Sequence, residues 1–179
     1  MIAGFSAILI YKLQEKDKQK TAGKMIVEQI RQIETCIKIL KSEDKTNALN
    51  IYKSQRILAK NLWEENRHLI SKKLRLDDIR VIEDFYLATE VIEKSRESIC
   101  DCIQKTWENK NLIYQYQLSQ QIILGETQED TFQLLLQYDK SELTYFPNYP
   151  FDCLKKKLLE FNFVSGTVAF EKLCKIAKQ

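Results

Sequence analysis

The chain has 179 residues, of which only four are glycine and two are proline. These two residue types make up roughly 3% of the chain against about 12% in average proteins, which argues against the many tight turns of a β-sandwich or barrel and against glycine-rich phosphate loops. Charged residues are 30% and apolar residues 44%, proportions that fit neither a disordered tail nor a protein with many membrane spans.

The net charge of +3 conceals three blocks of alternating sign. Residues 12–80 hold 17 basic and 10 acidic side chains, residues 81–152 hold 5 and 13, and residues 153–179 hold 6 and 2. Such blocks favour attraction between helices that fold back on one another. The alternative is that the basic first block lies near an anionic surface. A membrane fits this block better than nucleic acid, because acidic residues are interleaved with the basic ones and the pI is only 8.5.

The cysteines indicate a reducing compartment, hence the cytoplasm. Their number is odd and they are scattered, which is not a disulfide framework; they are Cys36, Cys100, Cys102, Cys153 and Cys174. Two of them are two positions apart, but on a helix they would point about 200° from each other. With one histidine in the chain, we predict no metal site, and we predict no cofactor.

The N-terminal residues 1–11 form an apolar stub without a charged side chain, and the basic polar segment 12–21 follows it. This order is typical of the cytoplasmic end of a membrane span, with Lys12, Lys16, Lys18 and Lys20 as the membrane-proximal residues. Eleven helical residues extend about 17 Å, roughly half the hydrocarbon core of a bilayer. Three interpretations stay open: part of a longer span, an anchor in one leaflet, or the buried start of a soluble helix. The polar segment has no apolar face, which favours the membrane.

Residues 22–124 are predicted to form a bundle of long helices. In the first helix, 22–41, apolar residues recur at intervals of 4, 3, 4 and 3, the pattern of an a/d seam. The seam consists of Ile26, Ile30, Ile33, Ile37 and Leu40. These residues are candidates for a self-association interface or for packing inside a bundle.

Two further helices follow in this region. A helix is predicted over 46–66, with Thr46 or Asn47 as its N-cap and residues 67–75 as its continuation or a separate turn. The third helix, 76–124, contains no glycine or proline, and its aspartates at 77 and 78 suit the positive helix end. We predict one rod or two helices broken at 107–111.

Residues 125–179 are predicted to form a cap of short helices over 128–138, 152–161 and 167–177, packed on the long ones. Thr167 is the predicted N-cap of the last helix. Just before the second of these helices, four aromatic residues and two prolines precede three consecutive lysines. These ligand or recognition candidates are Tyr145, Phe146, Tyr149, Phe151, Lys155, Lys156 and Lys157.

Enzymatic chemistry finds little support in the sequence. Glu65 and His68 have the E-x-x-H spacing of di-iron bundles, but such a site needs the motif twice and His68 is the only histidine. No nucleophile elbow or nucleotide-binding motif is present. We therefore predict no catalytic residue and no enzyme.

These observations predict an all-α protein, an elongated helical bundle with long antiparallel helices and a small C-terminal helical cap. We expect a non-enzymatic protein tethered at the cytoplasmic face of the inner or plasma membrane, or alternatively a soluble cytoplasmic one. It would act through protein partners or self-association as a scaffold, sensor or assembly partner. One alternative is a receptor for a nucleotide or another anionic small ligand at segment 145–157. A second is a small helical enzyme dependent on His68.

Overall fold

A computed structural model describes residues 2–42, 48–124 and 148–178. All regular structure in these three ranges is helical, as predicted. The elements are α1 (Ile2–Ser42), α2 (Ala48–Lys53), α3 (Leu62–Ile70), a 3₁₀ turn (Ser71–Lys73), α4 (Leu76–Leu124), α5 (Asn148–Glu160) and α6 (Val168–Lys178).

The segment from α2 to the 3₁₀ turn runs antiparallel to α4. The ring of Tyr52 lies 4.9 Å from that of Trp107, and five residues later the amide of Ile57 donates to a Glu93 carboxylate oxygen at 2.9 Å. As the residue number rises on one partner, it falls on the other. The predicted all-α bundle is therefore confirmed, and these consecutive segments pack antiparallel, but the prediction of long antiparallel helices does not hold for the two longest helices.

The two long helices, α1 and α4, point in the same direction. The Gln29 side chain of α1 accepts a hydrogen bond of 2.9 Å from the Tyr86 hydroxyl, and Cys36 is close enough to Glu93 for the carboxylate charge to act on its thiol. The two helices can be parallel because the segment between them, from α2 to the 3₁₀ turn, runs antiparallel to α4 and returns the chain to the end of the body where α4 begins. In the C-terminal part, α5 packs along α4 and α6 packs along α1.

The isoleucine seam of α1 lies in the core of the chain. All five members are buried: Ile26 0%, Ile30 0%, Ile33 1%, Ile37 0% and Leu40 5%. They share one apolar cluster with residues of α4 and α6 such as Ile92 and Leu173. The structure thus assigns the seam to the interior rather than to an interface between copies, because the chain's own helices already cover it.

The first helix is longer than predicted. It begins at Ile2 instead of residue 22, so the polar segment 12–21 is part of the same helix. Polar residues do not interrupt a helix when they are good helix formers, and lysine, glutamate and glutamine are such residues.

The predicted helix 46–66 is wrong, because residues 54–61 separate α2 from α3. The Ser54 hydroxyl donates to the Ile51 carbonyl at 2.6 Å where α2 ends. The Asn61 side chain caps α3 by accepting from the Glu64 amide at 3.0 Å. The predicted caps at 46 and 47 lie outside the described residues.

The third helix is one unbroken rod with the predicted ends. The weak periodicity at 107–111 does not interrupt it. The predicted helix 128–138 lies outside the described residues. Both of the last two helices are present: α5 begins four residues before the predicted start at 152, and α6 is displaced by one residue from the predicted 167–177. Thr167 caps α6 as predicted, its hydroxyl accepting from the Phe170 amide at 3.3 Å.

Candidate functional site

The N-terminal part of α1 extends beyond the packed body. Four large apolar side chains are exposed there: Ile8 60%, Ile10 55%, Tyr11 67% and Leu13 55%. No described side chain between residues 8 and 18 is buried, and the first buried one along the helix is Gln19. At about 100° per residue the four side chains surround the helix axis instead of forming one stripe. These four therefore lie outside the core, contrary to what a buried start of a soluble helix requires.

The predicted membrane-proximal lysines follow on the next turns of the same helix. Lys12, Lys16 and Lys18 are exposed, and Lys20 is half-buried. Because α1 is one continuous helix, the apolar turns and the basic turns that follow them lie along the same axis and keep a fixed distance from each other. Within the described residues, no helix combines the length and the apolar character needed to cross a membrane.

The C-terminal part is attached to α1 by polar contacts. The buried carboxylate of Glu34 accepts hydrogen bonds of 2.8 Å from the backbone amides of both Val164 and Ser165. The Lys41 ammonium donates to the Phe161 carbonyl at 3.3 Å. These bonds hold the connection between α5 and α6 and so fix the position of α6 on α1.

The far end of α6 reaches the turns of α1 where the body begins. A Cβ placed on Gly23 would lie 3.2 Å from the Ala177 nitrogen. On the other side, Lys172 of α6 pairs with Asp78 at the start of α4, with its ammonium 2.5 Å from the carboxylate. This hydrogen bond lowers the pKa of Asp78 against the opposing effect of burial. The end of α6 and the start of α4 therefore meet at the end of the body from which α1 projects.

An ion pair between Glu93 and Arg96 of α4 lies in the interior, with both side chains 7% exposed. The guanidinium donates to both carboxylate oxygens at 2.8–3.1 Å. The same carboxylate accepts from the Ile57 amide. The hydrogen bonds to Glu93 raise the pKa of Arg96. The pair therefore anchors the 54–61 connection, and its burial leaves it inaccessible to a substrate from solvent.

The cysteines of the chain are unpaired thiols, each half-buried. Burial raises the pKa of Cys36 and of Cys100, although the latter sulfur accepts from the Arg96 guanidinium at 3.4 Å. A thiol with a raised pKa is a weak nucleophile at neutral pH. Among the described residues, no group of histidine, cysteine and carboxylate side chains is arranged to hold a metal ion.

The E-x-x-H pair lies on the surface of α3. Both Glu65 and His68 are exposed, and Glu65 forms an ion pair of 2.7 Å with Lys60. A di-iron site needs such residues facing the interior of a bundle. Neither Glu65 nor His68 therefore faces the interior of the bundle.

In the aromatic–lysine segment, the described lysines contact groups of α5 itself. The Lys155 ammonium lies 4.5 Å from the centre of the Phe151 ring. Lys156 and Lys157 pair with Glu160 at 3.9 and 3.4 Å. The remaining aromatic candidates at 145, 146 and 149 have side chains outside the described residues. The described contacts do not arrange the three lysines around a common anion.

Comparisons with known protein families, with curated proteins and with solved structures give no match for this chain.

Proposed function

We propose that this chain is a non-enzymatic helical protein of the cytoplasm, tethered to a membrane by the N-terminal turns of α1 and acting through protein contacts. The observation that carries the proposal is the exposure of Ile8, Ile10, Tyr11 and Leu13 around a helix that projects from the body. A helix that is apolar on all sides is stable when something apolar surrounds it.

A lipid bilayer supplies such surroundings. Burying one large apolar side chain is favourable by about 1.5–3 kcal/mol, so three or four of them offset the loss of freedom on binding. Lys12, which lies between Tyr11 and Leu13, and Lys16 and Lys18 on the following turns then reach the headgroup layer, where positive charge is favoured on the cytoplasmic side.

Action through protein contacts is supported by the opposite end of the molecule. In α4 the last buried described side chain is Ile103, and beyond it the helix exposes Leu112 by 63% and Tyr116 by 65%. Aromatic side chains are the residues that most often anchor protein interfaces. The apolar turns of α1 and this part of α4 lie at opposite ends, because the two helices point the same way.

The tether is tested in the full chain with vesicles of phosphatidylcholine, which carry no net charge. We expect the wild type to float with the vesicles and the triple variant Ile8→Ser, Ile10→Ser, Leu13→Ser to bind at least tenfold more weakly, given the burial energies above. The matched control replaces three exposed apolar residues of the body by Ser: Leu87 (59% exposed), Leu159 (81%) and Val168 (64%). Equal flotation of all three proteins would contradict the tether.

A further inference from the structure

The end of the body next to the apolar turns is built from three segments that are far apart in sequence. These are residues 12–24 of α1, residues 71–80 around the start of α4, and residues 171–178 of α6. The contact of Gly23 with Ala177 joins the first to the third. The ion pair of Lys172 with Asp78 joins the third to the second.

These three segments concentrate positive charge. They hold twelve lysines and arginines against five acidic residues, which leaves 16 basic and 20 acidic residues in the rest of the chain. Ten of the twelve basic side chains are exposed: Lys12, Lys16, Lys18, Lys24, Lys72, Lys73, Arg75, Arg80, Lys175 and Lys178. We call the surface formed by these ten residues the basic end.

We propose that the basic end is a second membrane contact, which binds anionic lipid headgroups and sets the body against the bilayer. This inference rests on the proposed tether and adds to it the lipid class and the contribution of α6 and of the 3₁₀ turn. The positive charge lies at the end of the molecule that carries the exposed apolar turns. Both features fit a lipid bilayer, which has an apolar interior and an anionic headgroup layer.

The length of α1 allows the apolar turns and the basic end to contact the bilayer at the same time. Gly23, where α6 meets α1, is about 18 Å along the helix from Tyr11. The interfacial layer of one leaflet takes up about 5–7 Å of that length. Lys24 and Lys178 then lie about 10 Å from the headgroups, within the range of the surface potential at about 0.1 M salt, and a tilt of α1 brings them closer.

Nucleic acid is a weaker fit for the same surface. Five acidic side chains are interleaved with the basic ones, among them Glu15 and Asp77, and a duplex favours a continuous stripe of positive charge. A bilayer responds to the total charge near its surface, so interleaved acidic residues weaken the attraction without abolishing it.

The test uses the full chain with Lys72, Lys175 and Lys178 changed to Gln, none of which belongs to the proposed tether. The matched control changes Lys53, Lys94 and Lys105 to Gln, three exposed lysines outside the basic end. Binding is measured to neutral phosphatidylcholine vesicles and to vesicles with about 30% phosphatidylserine at about 0.1 M salt. Circular dichroism verifies that each variant is folded.

We expect the wild type and the control to bind more tightly as phosphatidylserine is added, and this gain to disappear at high salt. Each basic residue near an anionic surface contributes about fivefold to binding. The basic-end variant should therefore lose up to about 100-fold on anionic vesicles, while its binding to neutral vesicles stays unchanged.

Three results would overturn the inference: an undiminished response to phosphatidylserine in the basic-end variant, an equal loss in the control, or a loss that extends to neutral vesicles. A short DNA duplex at the same salt provides the remaining arm. Lysine-dependent binding to DNA without any response to phosphatidylserine would also overturn it. Failure of the tether differs from all of these, since the wild type would then not bind neutral vesicles at all.

Discussion

At the scale of single residues, the buried pair of Glu93 and Arg96 gives the clearest energetic prediction. Replacing Arg96 with Met should lower the free energy of unfolding by about 3–5 kcal/mol, because the carboxylate stays buried without its cation. Urea denaturation measures the change. The matched control is Arg56→Met, which removes the cation from an ion pair with Glu97 whose side chains are 64% and 44% exposed; it should cost less than about 1 kcal/mol.

A cost for Arg96→Met as small as that of Arg56→Met would contradict the buried role of the pair. It would mean that Glu93 is hydrated in solution and that the 54–61 connection does not cover it.

Local signals were sufficient at some positions and insufficient at others. Thr167 was predictable as a cap, because it stands directly before a helical pattern and its partner is three residues away. Glu93 and Arg96, three apart on a charged helix, have the spacing of an ordinary surface pair. Their burial depends on Ile57, which lies 36 residues from Glu93, and the sequence carries no local signal of that contact.

At the scale of helices, Gly23 controls how closely α6 approaches α1. A Cβ there would meet the backbone nitrogen and Cα of Ala177 at 3.2 and 3.3 Å. Because backbone atoms cannot rotate away and leucine adds four carbon atoms, Gly23→Leu should push α6 outward at a steric cost of about 3 kcal/mol, the upper end of the usual range for overpacking. The roughly 1 kcal/mol that leucine gains over glycine in helix propensity leaves a net loss of about 2 kcal/mol in the free energy of unfolding.

Thermal or urea unfolding measures this cost. The control is Gly166→Leu, since no atom lies within 4 Å of a Cβ at that position; its effect should stay within about 0.5 kcal/mol. A stability for Gly23→Leu equal to that of the wild type would show that α6 is not held at this distance from α1.

The length of a helix was predictable where glycine or proline, the residues that break helices, limits it. From Leu76 to Leu124 the chain offers no glycine or proline, and α4 has those ends. The break at 54–61 was not predictable, because Leu58 and Leu62 keep helical spacing across it. What stops the helix there is tertiary: Gln29 of α1 donates to the Lys60 carbonyl at 2.6 Å and accepts from the Leu62 amide at 3.1 Å.

At the scale of the whole molecule, the direction of each segment determines the candidate site. The sequence alone showed a basic first block and a basic last block, but not that they meet. Their meeting requires α6 to run back along α1, and the bonds of Glu34 to the connection before α6 establish that direction. The polarity of the molecule, with apolar and basic groups at one end, is therefore a property of the fold.

Whether the isoleucine seam packs within one chain or between two copies is also a property of the whole molecule. Ile30 is fully buried, whereas Ile39 on the same helix is 53% exposed. Ile30→Ala should cost about 2–5 kcal/mol through lost burial and a residual cavity, and Ile39→Ala should cost at most about 0.5 kcal/mol. Both are measured by urea denaturation at several protein concentrations.

The dependence on concentration separates the two roles of the seam. If the seam packs within one chain, the urea midpoint is the same at every concentration, for the wild type and for Ile30→Ala alike. If a second copy covered it, mass action would raise the midpoint with concentration, and Ile30→Ala would reduce that rise. Since Ile30 is already fully buried within one chain, whose α3 and α6 pack against α1, we expect a midpoint that does not depend on concentration.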